Sequence, residues 1–128
     1  CYASEEIIAV LNKIKPPYNV NELTQNRAQY RLQNISEVNS EIADILSQRD
    51  LLSKALLEVE FIEKIYRSDA NFVLVKVDDA LKRYDQLLNK GVVIRNRTNQ
   101  PLCENTLRLT IGTKEENLKL IEVLKSLD

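Results

Sequence analysis

The chain has no histidine, no methionine and no tryptophan, and its 128 residues include only two glycines, two cysteines and three prolines. Without histidine it lacks the commonest general base and the commonest metal ligand. Two cysteines, Cys1 and Cys103, are too few for a disulfide framework or a clustered zinc set, and a reducing cytoplasm is the expected setting. Two isolated glycines cannot make a phosphate-cradling glycine-rich loop. The apolar runs fall short of the roughly 18 residues a membrane helix needs, and no secretory signal is expected. A net charge of −1, with both signs mixed along the chain, lacks the basic stripe of a nucleic-acid binder. The missing methionine fits a fragment of a longer protein.

What remains is ordinary in bulk, with 44% hydrophobic and 29% charged residues, as in one soluble globular domain. Its organisation follows from where the helix breakers fall. Glycine and proline occur only at positions 16, 17, 91, 101 and 112, so residues 18–90 should hold long elements. Ser4 with Glu5 and Glu6 predicts a helix start, with Ile7, Ile8, Val10, Leu11 and Ile14 on the apolar side. Pro16 and Pro17 stop that helix. Residues 18–21 should be extended, with Asn21 capping a second helix over about 22–34. From Ser36 to about Tyr66, apolar residues recur at three- and four-residue steps: Val38, Ile42, Ile45, Leu52, Leu56, Val59 and Ile62. That pattern predicts a helix of about 30 residues, roughly 45 Å long. A coiled coil is the rival reading, but Arg49 and Glu63 would fall on its seam.

The period then changes. Phe72–Val77 is nearly all apolar and β-branched, as a central strand would be. Residues 78–89 return to helix, with Leu81, Tyr84, Leu87 and Leu88 expected inward and Gly91 at its C-terminal end. Val92–Arg95 reads as a second strand. Thr106–Ile111 reads as a third, in which Leu107, Leu109 and Ile111 face one way and Thr106, Arg108 and Thr110 the other. Thr113–Glu116 is a capping box opening a last helix, with an inner stripe of Leu118, Ile121, Leu124 and Leu127. The expected class is α+β, a small three-stranded sheet packed with helices behind a long leading helix, or part of a larger α/β protein.

Residues 91–113 are where an anionic substrate would be held. They contain both glycines and place Arg95 and Arg108 late in two short strands. An arginine fixed on a strand is a permanently charged fork suited to a carboxylate or phosphate.

Four pieces in order resemble one known family: Lys15-Pro16-Pro17-Tyr18-Asn19-Val20-Asn21, Ser68-Asp69-Ala70-Asn71-Phe72, Lys90-Gly91-Val92-Val93-Ile94-Arg95, and Leu107-Arg108-Leu109-Thr110-Ile111-Gly112-Thr113. They are similar to the carboxy-terminal part of the histidinol-phosphate aminotransferases, pyridoxal-phosphate enzymes of aminotransferase fold type I. The resemblance covers nearly the whole chain. It implies that residues 1–35 end a large domain and connect it to a small domain over 36–128, the long helix lying between domains. It implies that Arg108 binds the substrate α-carboxylate and that Arg95 helps hold histidinol phosphate, its phosphate end being the favoured contact, with Arg97 nearby as a residue that could share or replace Arg95 there. The implied reaction exchanges an amino group between histidinol phosphate and 2-oxoglutarate in histidine biosynthesis, in a cytoplasmic homodimer.

The family's Schiff-base lysine, its glycine-rich run and its other cofactor-binding residues have no counterpart among the ten lysines and their surroundings. The segment alone is therefore expected to be inactive, with no catalytic or cofactor-binding residue and no metal. Cys1-Tyr2-Ala3 resembles sequence just after the family's glycine-rich run. Arg67 departs from the family, which often has proline there. Tyr18 and Asn19 are read as ordering the interdomain connection, Asn71 as ending a turn, and Cys103 as an inert thiol. Apolar surface that a large domain would cover should drive self-association. The alternatives are another pyridoxal-phosphate aminotransferase or decarboxylase of the same fold, or a standalone α+β binding domain.

Overall fold

The computed structural model describes residues 2–17 and 20–127. Cys1, Tyr18 and Asn19, named above, lie outside the described residues. The chain divides into two compact units, Cys1–Asn39 and Ser40–Asp128.

The first unit is helical. Helix α1 (Glu5–Ile14) follows Ser4 and ends before Pro16, but the Ser4 side chain makes no capping hydrogen bond. Helix α2 (Glu22–Gln33) does start as its sequence dictates, the Asn21 side chain accepting from the Thr24 N–H at 2.9 Å. Neither helix contains a buried residue.

Helix α3 (Ile35–Leu56) is shorter than its sequence pattern suggests. Successive i→i−3 turns at Leu57, Glu58 and Val59 end it, and the chain turns into strand β1 (Ile62–Ile65). Val59 lies in that turn and Ile62 opens β1, so the three-residue apolar step that looked helical here serves a turn and a strand. The sheet consequently has four strands rather than three. Strand β2 (Phe72–Val77) is followed by helix α4 (Ala80–Asn89), strand β3 (Arg95–Asn96), strand β4 (Thr106–Thr110) and helix α5 (Lys114–Lys125). The order β1-β2-β4-β3 is antiparallel throughout.

One sheet face makes the core. Val73 pairs with Leu109 and Val75 with Leu107, and these join Leu52 and Leu56 of α3, Ala80 and Leu87 of α4, and Leu120 and Leu124 of α5 in one cluster. The other face carries Phe72, Leu74 and Lys76 opposite Thr110, Arg108 and Thr106, and most of it is only half-buried. Antiparallel sheets commonly keep one face accessible in this way.

Tyr84 and Leu87 of α4 and Ile121, Leu124 and Leu127 at α5 lie in or against the core as expected, but three expected inner residues do not. Leu81 and Leu88 are 65% and 45% exposed, and the inner positions of α4 belong to Ala80, Arg83 and Leu87. Asp79 caps this helix, accepting from the Lys82 N–H at 3.0 Å. Leu118 is 50% exposed, because Asn117 occupies the buried position of the first turn of α5. The capping box of α5 is present, with Thr113 and Glu116 each bonding the other's backbone N–H.

Gly91 ends α4 at φ 76°, a left-handed conformation that favours glycine. Its N–H donates to Leu88 O and the Val92 N–H to Leu87 O, both at 2.9 Å, closing the double-bonded helix end known as a Schellman motif. The strand after it is shorter and later than the expected Val92–Arg95, running over Arg95–Asn96.

Candidate functional site

Strand pairing brings the two sequence-nominated arginines together. Arg95 on β3 is the direct cross-strand partner of Arg108 on β4, so both stand on the accessible face of the sheet. Directly opposed side chains have Cβ atoms about 4.5–5.5 Å apart. Arg108 is half-buried, and its guanidinium lies over the Phe72 ring, 5.0 Å from the centroid. Its Nε is enclosed and has no hydrogen-bond partner among the described residues. Arg95 is exposed.

The ladder extends one step further. The Arg97 N–H donates to Thr106 O at 2.9 Å, which sets Arg97 opposite Thr106 and on the same face as Arg95 and Arg108. Among the described residues, none of the ion pairs involves Arg95, Arg97 or Arg108. The lysines on this face differ: Lys76 pairs with Glu63 at 3.4 Å, and Lys64 lies over the Tyr66 ring at 4.7 Å. A cavity of about 390 Å³ is lined by Tyr84 and residues 93–97, Arg95 and Arg97 included.

The segments around the arginines are held by backbone and amide hydrogen bonds. Ser68 accepts from the Ala70 N–H, Ala70 O accepts from Arg49 Nη1 at 3.1 Å, and Asn71 O accepts from the Ile111 N–H at 2.9 Å. These bonds hold the chain at the entry to β2. Arg49, which would have broken a coiled-coil seam, therefore has a tertiary partner, and Asn71 acts here through its backbone. Beyond β4, Asn117 is 1% exposed and grips both polar groups of Gly112, accepting from its N–H at 3.0 Å and donating to its carbonyl at 3.1 Å. The same Nδ2 donates to Gln48 Oε1 at 3.1 Å. Sequence reasoning missed Asn117; the available signal was an asparagine just inside a helix, where its propensity is poor.

Arg83 was also missed. It is 8% exposed and forks onto Asp78, Nε to Oδ1 at 3.0 Å and Nη2 to Oδ2 at 2.8 Å, while Nη1 donates to Leu127 O at 2.8 Å. The Arg83 hydrogen bonds hold the Asp78 carboxyl at about 2, below its ordinary 3.8, against partial desolvation. This cluster is a structural clamp joining the start of α4 to the end of the chain.

Among the described residues there is no metal-binding group of histidine, cysteine or acidic side chains, and no helix is long and apolar enough to cross a membrane. Cys103 is a free, half-buried thiol in the loop between β3 and β4.

The sequence profile of the family "Aminotransferase class I and II" matches residues 1–124. The chain is 66% identical over 128 residues to a histidinol-phosphate aminotransferase of Flavobacterium johnsoniae, and 64% identical over 127 residues to one of Christiangramia forsetii. It is covered to 100% and 99% in these comparisons, and spans 37% and 36% of the relatives' lengths. In structure it superposes on the histidinol-phosphate aminotransferase of Clostridium acetobutylicum with a TM-score of 0.86 at 27% identity, covering 95% of this chain and 37% of that one. A decarboxylase from Sulfurospirillum multivorans shares the fold, with a TM-score of 0.83 at 22% identity over 95% of this chain and 32% of that one. The chain belongs to the class I and II aminotransferases.

Proposed function

We propose that this chain is the carboxy-terminal part of a histidinol-phosphate aminotransferase and contributes the anion-binding side of its substrate site. The observation that carries this reading is the opposed pair Arg95 and Arg108. These are two permanent cations on one sheet face with no acid paired to either among the described residues, and the Nε of Arg108 is enclosed without a partner there. Like charges set directly opposite one another destabilise a sheet, and a buried unpaired donor costs more. An anionic substrate relieves both. Arg108, steadied by Phe72, takes the α-carboxylate of 2-oxoglutarate, and Arg95 takes the phosphate end of histidinol phosphate. The names of the similar proteins support histidinol phosphate as a substrate.

The family works with pyridoxal phosphate, which supplies the electron sink for amino transfer. The residues of this chain do not fit its anchor. An anchoring lysine must be desolvated or flanked by cations. Nine of the ten lysines are exposed, and the tenth, Lys76, is paired with Glu63. The segment by itself is inactive on this reading, and the remainder of a longer polypeptide carries the cofactor.

Residues 1–35 then end the large domain and 36–128 form the small domain, a division supported by the compact-unit boundary after Asn39. The bare helices α1 and α2 are covered by the rest of that polypeptide and by a second subunit, in a cytoplasmic homodimer.

The test is amino transfer from histidinol phosphate to 2-oxoglutarate by the intact polypeptide that contains this chain. Turnover is expected, and Arg108→Gln is expected to raise KM for 2-oxoglutarate by about tenfold or more. An intact polypeptide with no such turnover overturns the reading. Pyridoxal phosphate added to the 128-residue chain alone should give no stoichiometric, substrate-responsive absorbance.

A further inference from the structure

We propose that Gln48 and Arg49, neighbours on α3, are positioning residues that clamp the end of the β2–β4 ladder and so hold Arg108 where it meets the substrate carboxylate. This role rests on the function proposed above and belongs to side chains that touch no substrate themselves.

The ladder between β2 and β4 closes with the bond from the Ile111 N–H to Asn71 O, at 2.9 Å. One residue beyond it on each segment, side chains take over from backbone. Ala70 gives its N–H to the Ser68 hydroxyl and receives Arg49 Nη1 on its carbonyl, both at 3.1 Å. Gly112 has both of its polar groups on Asn117, whose Nδ2 also donates to Gln48 Oε1 at 3.1 Å. Two consecutive residues of one helix thus hold two opposed chain segments, Arg49 directly and Gln48 through Asn117.

Apolar packing is thin at this level. The buried residues of α3, Leu52 and Leu56, lie beyond the clamp toward the end of the helix. Ile45, one turn before it, is only partly buried. A cavity of about 630 Å³ opens between α3 and the turn after β4, with Asp44, Gln48, Ile111, Gly112 and Glu116 on its walls. The hydrogen bonds, rather than a sealed apolar seam, therefore fix this end of the sheet against the helix.

Arg108 depends on that end. Its guanidinium lies over the ring of Phe72, and among the described residues it has no ion pair and no partner for Nε. Phe72 is two residues from Ala70, and its cross-strand partner Thr110 is two residues from Gly112. Two residues span at most about 7 Å, so a shift of either clamped residue reaches the ground on which Arg108 rests. A fork that must meet a carboxylate squarely tolerates little of this, since a misplacement of about 1 Å can cost about a hundredfold in rate.

The experiment is a double-mutant cycle on kcat/KM for 2-oxoglutarate in the intact aminotransferase carrying this chain. Arg49→Gln should lower kcat/KM about fivefold through KM, with kcat within about twofold of wild type. In an enzyme already carrying Arg108→Gln, the same change should cost less than about twofold, because no fork is left to place. Arg49→Lys, which keeps a charged donor, should recover part of the loss. An equal loss in both backgrounds is what a merely structural role gives and overturns the proposal, as does no loss in either. If Arg49→Gln does not fold, Gln48→Leu decides by the same comparison, since it leaves Asn117 on Gly112 and removes only the link to α3. Wild-type enzyme that turns over no histidinol phosphate with 2-oxoglutarate defeats the proposed function as well, whereas a flat cycle in an active enzyme defeats the clamp alone.

Discussion

Arg95 and Arg108 face each other across β3 and β4 as direct cross-strand partners, and among the described residues neither forms an ion pair with an acid. A fold has no stability reason to set two guanidinium groups opposite one another. The arrangement is explicable as a site that gives up some stability for an anion.

That trade is measurable. Arg95→Thr removes the repulsion and places a good strand former at an exposed position, so the chain should gain about 0.5 kcal/mol at low ionic strength. The gain should shrink as salt screens the pair. Urea denaturation of both chains, with and without added salt, reads it directly. A variant less stable than wild type in dilute buffer would mean that Arg95 has a supporting role in the fold.

Asn117 supports the turn that follows the strand of Arg108. Its carboxamide satisfies the N–H and C=O of Gly112 together, and it is nearly fully buried. Asn117→Ala should therefore cost about 2–3 kcal/mol, since two buried backbone groups lose their partners and a small cavity opens. Gly112→Ala should act on the same turn by another route. An added Cβ would stand 2.9 Å from Glu116 Cβ and 2.6 Å from its carboxylate, the group that completes the capping box. A loss of about 1 kcal/mol is expected there. Denaturation midpoints rank the two; a neutral Asn117→Ala would contradict the clamp.

Much of this was legible in the chain, and the exceptions share a cause. Gly91, the capping box at Thr113 and the strands bearing Arg108 and Phe72 follow local rules, and the local rules held. The pairing of Arg95 with Arg108 needed a register that no local rule supplies. Strand β1 was hidden because Leu56, Val59 and Ile62 keep a three-residue step through a stretch with no glycine or proline. Only pairing of Ile62 and Ile65 with Val77 and Val75 shows where the helix must stop. On α4 Tyr84 and Leu87 were placed inward correctly, but Leu81 and Leu88 were not, because Arg83, a charged residue, takes a core position that its fork with Asp78 makes tolerable. Patterns of hydrophobicity cannot show a buried polar residue whose partner lies elsewhere.

The first unit offers a separate prediction. Ile14, Leu23 and Leu32 are 72%, 82% and 74% exposed, and no residue of α1 or α2 is buried. Apolar surface of this extent marks a face made to be covered. In dilute buffer the 128-residue chain should self-associate, with a mass by light scattering that climbs with concentration. A constant monomer mass across a hundredfold range of about micromolar concentrations would show that these helices need no cover.

The last prediction concerns acid. Asp78 titrates at about 2 in the folded chain because Arg83 donates two hydrogen bonds to it, and its ordinary value is 3.8. A carboxyl whose folded value is depressed adds stability above its unfolded value, and that contribution disappears as pH falls through the folded one. The Asp78–Arg83 contribution is therefore complete at pH 5 and above, declines between about 4 and 2, and is absent below. Asp78 is partly open to solvent, so its ionisation alone is a modest term. Arg83 is not open, and an Arg83 without its carboxylate is a buried cation. Asp78→Asn should therefore lower the melting temperature at pH 7 and flatten the loss of stability between pH 4 and 2. Melting curves at half-unit pH steps compare the two chains. Parallel acid profiles, with Asp78→Asn simply displaced downward at every pH, would show that another carboxylate governs the acid transition.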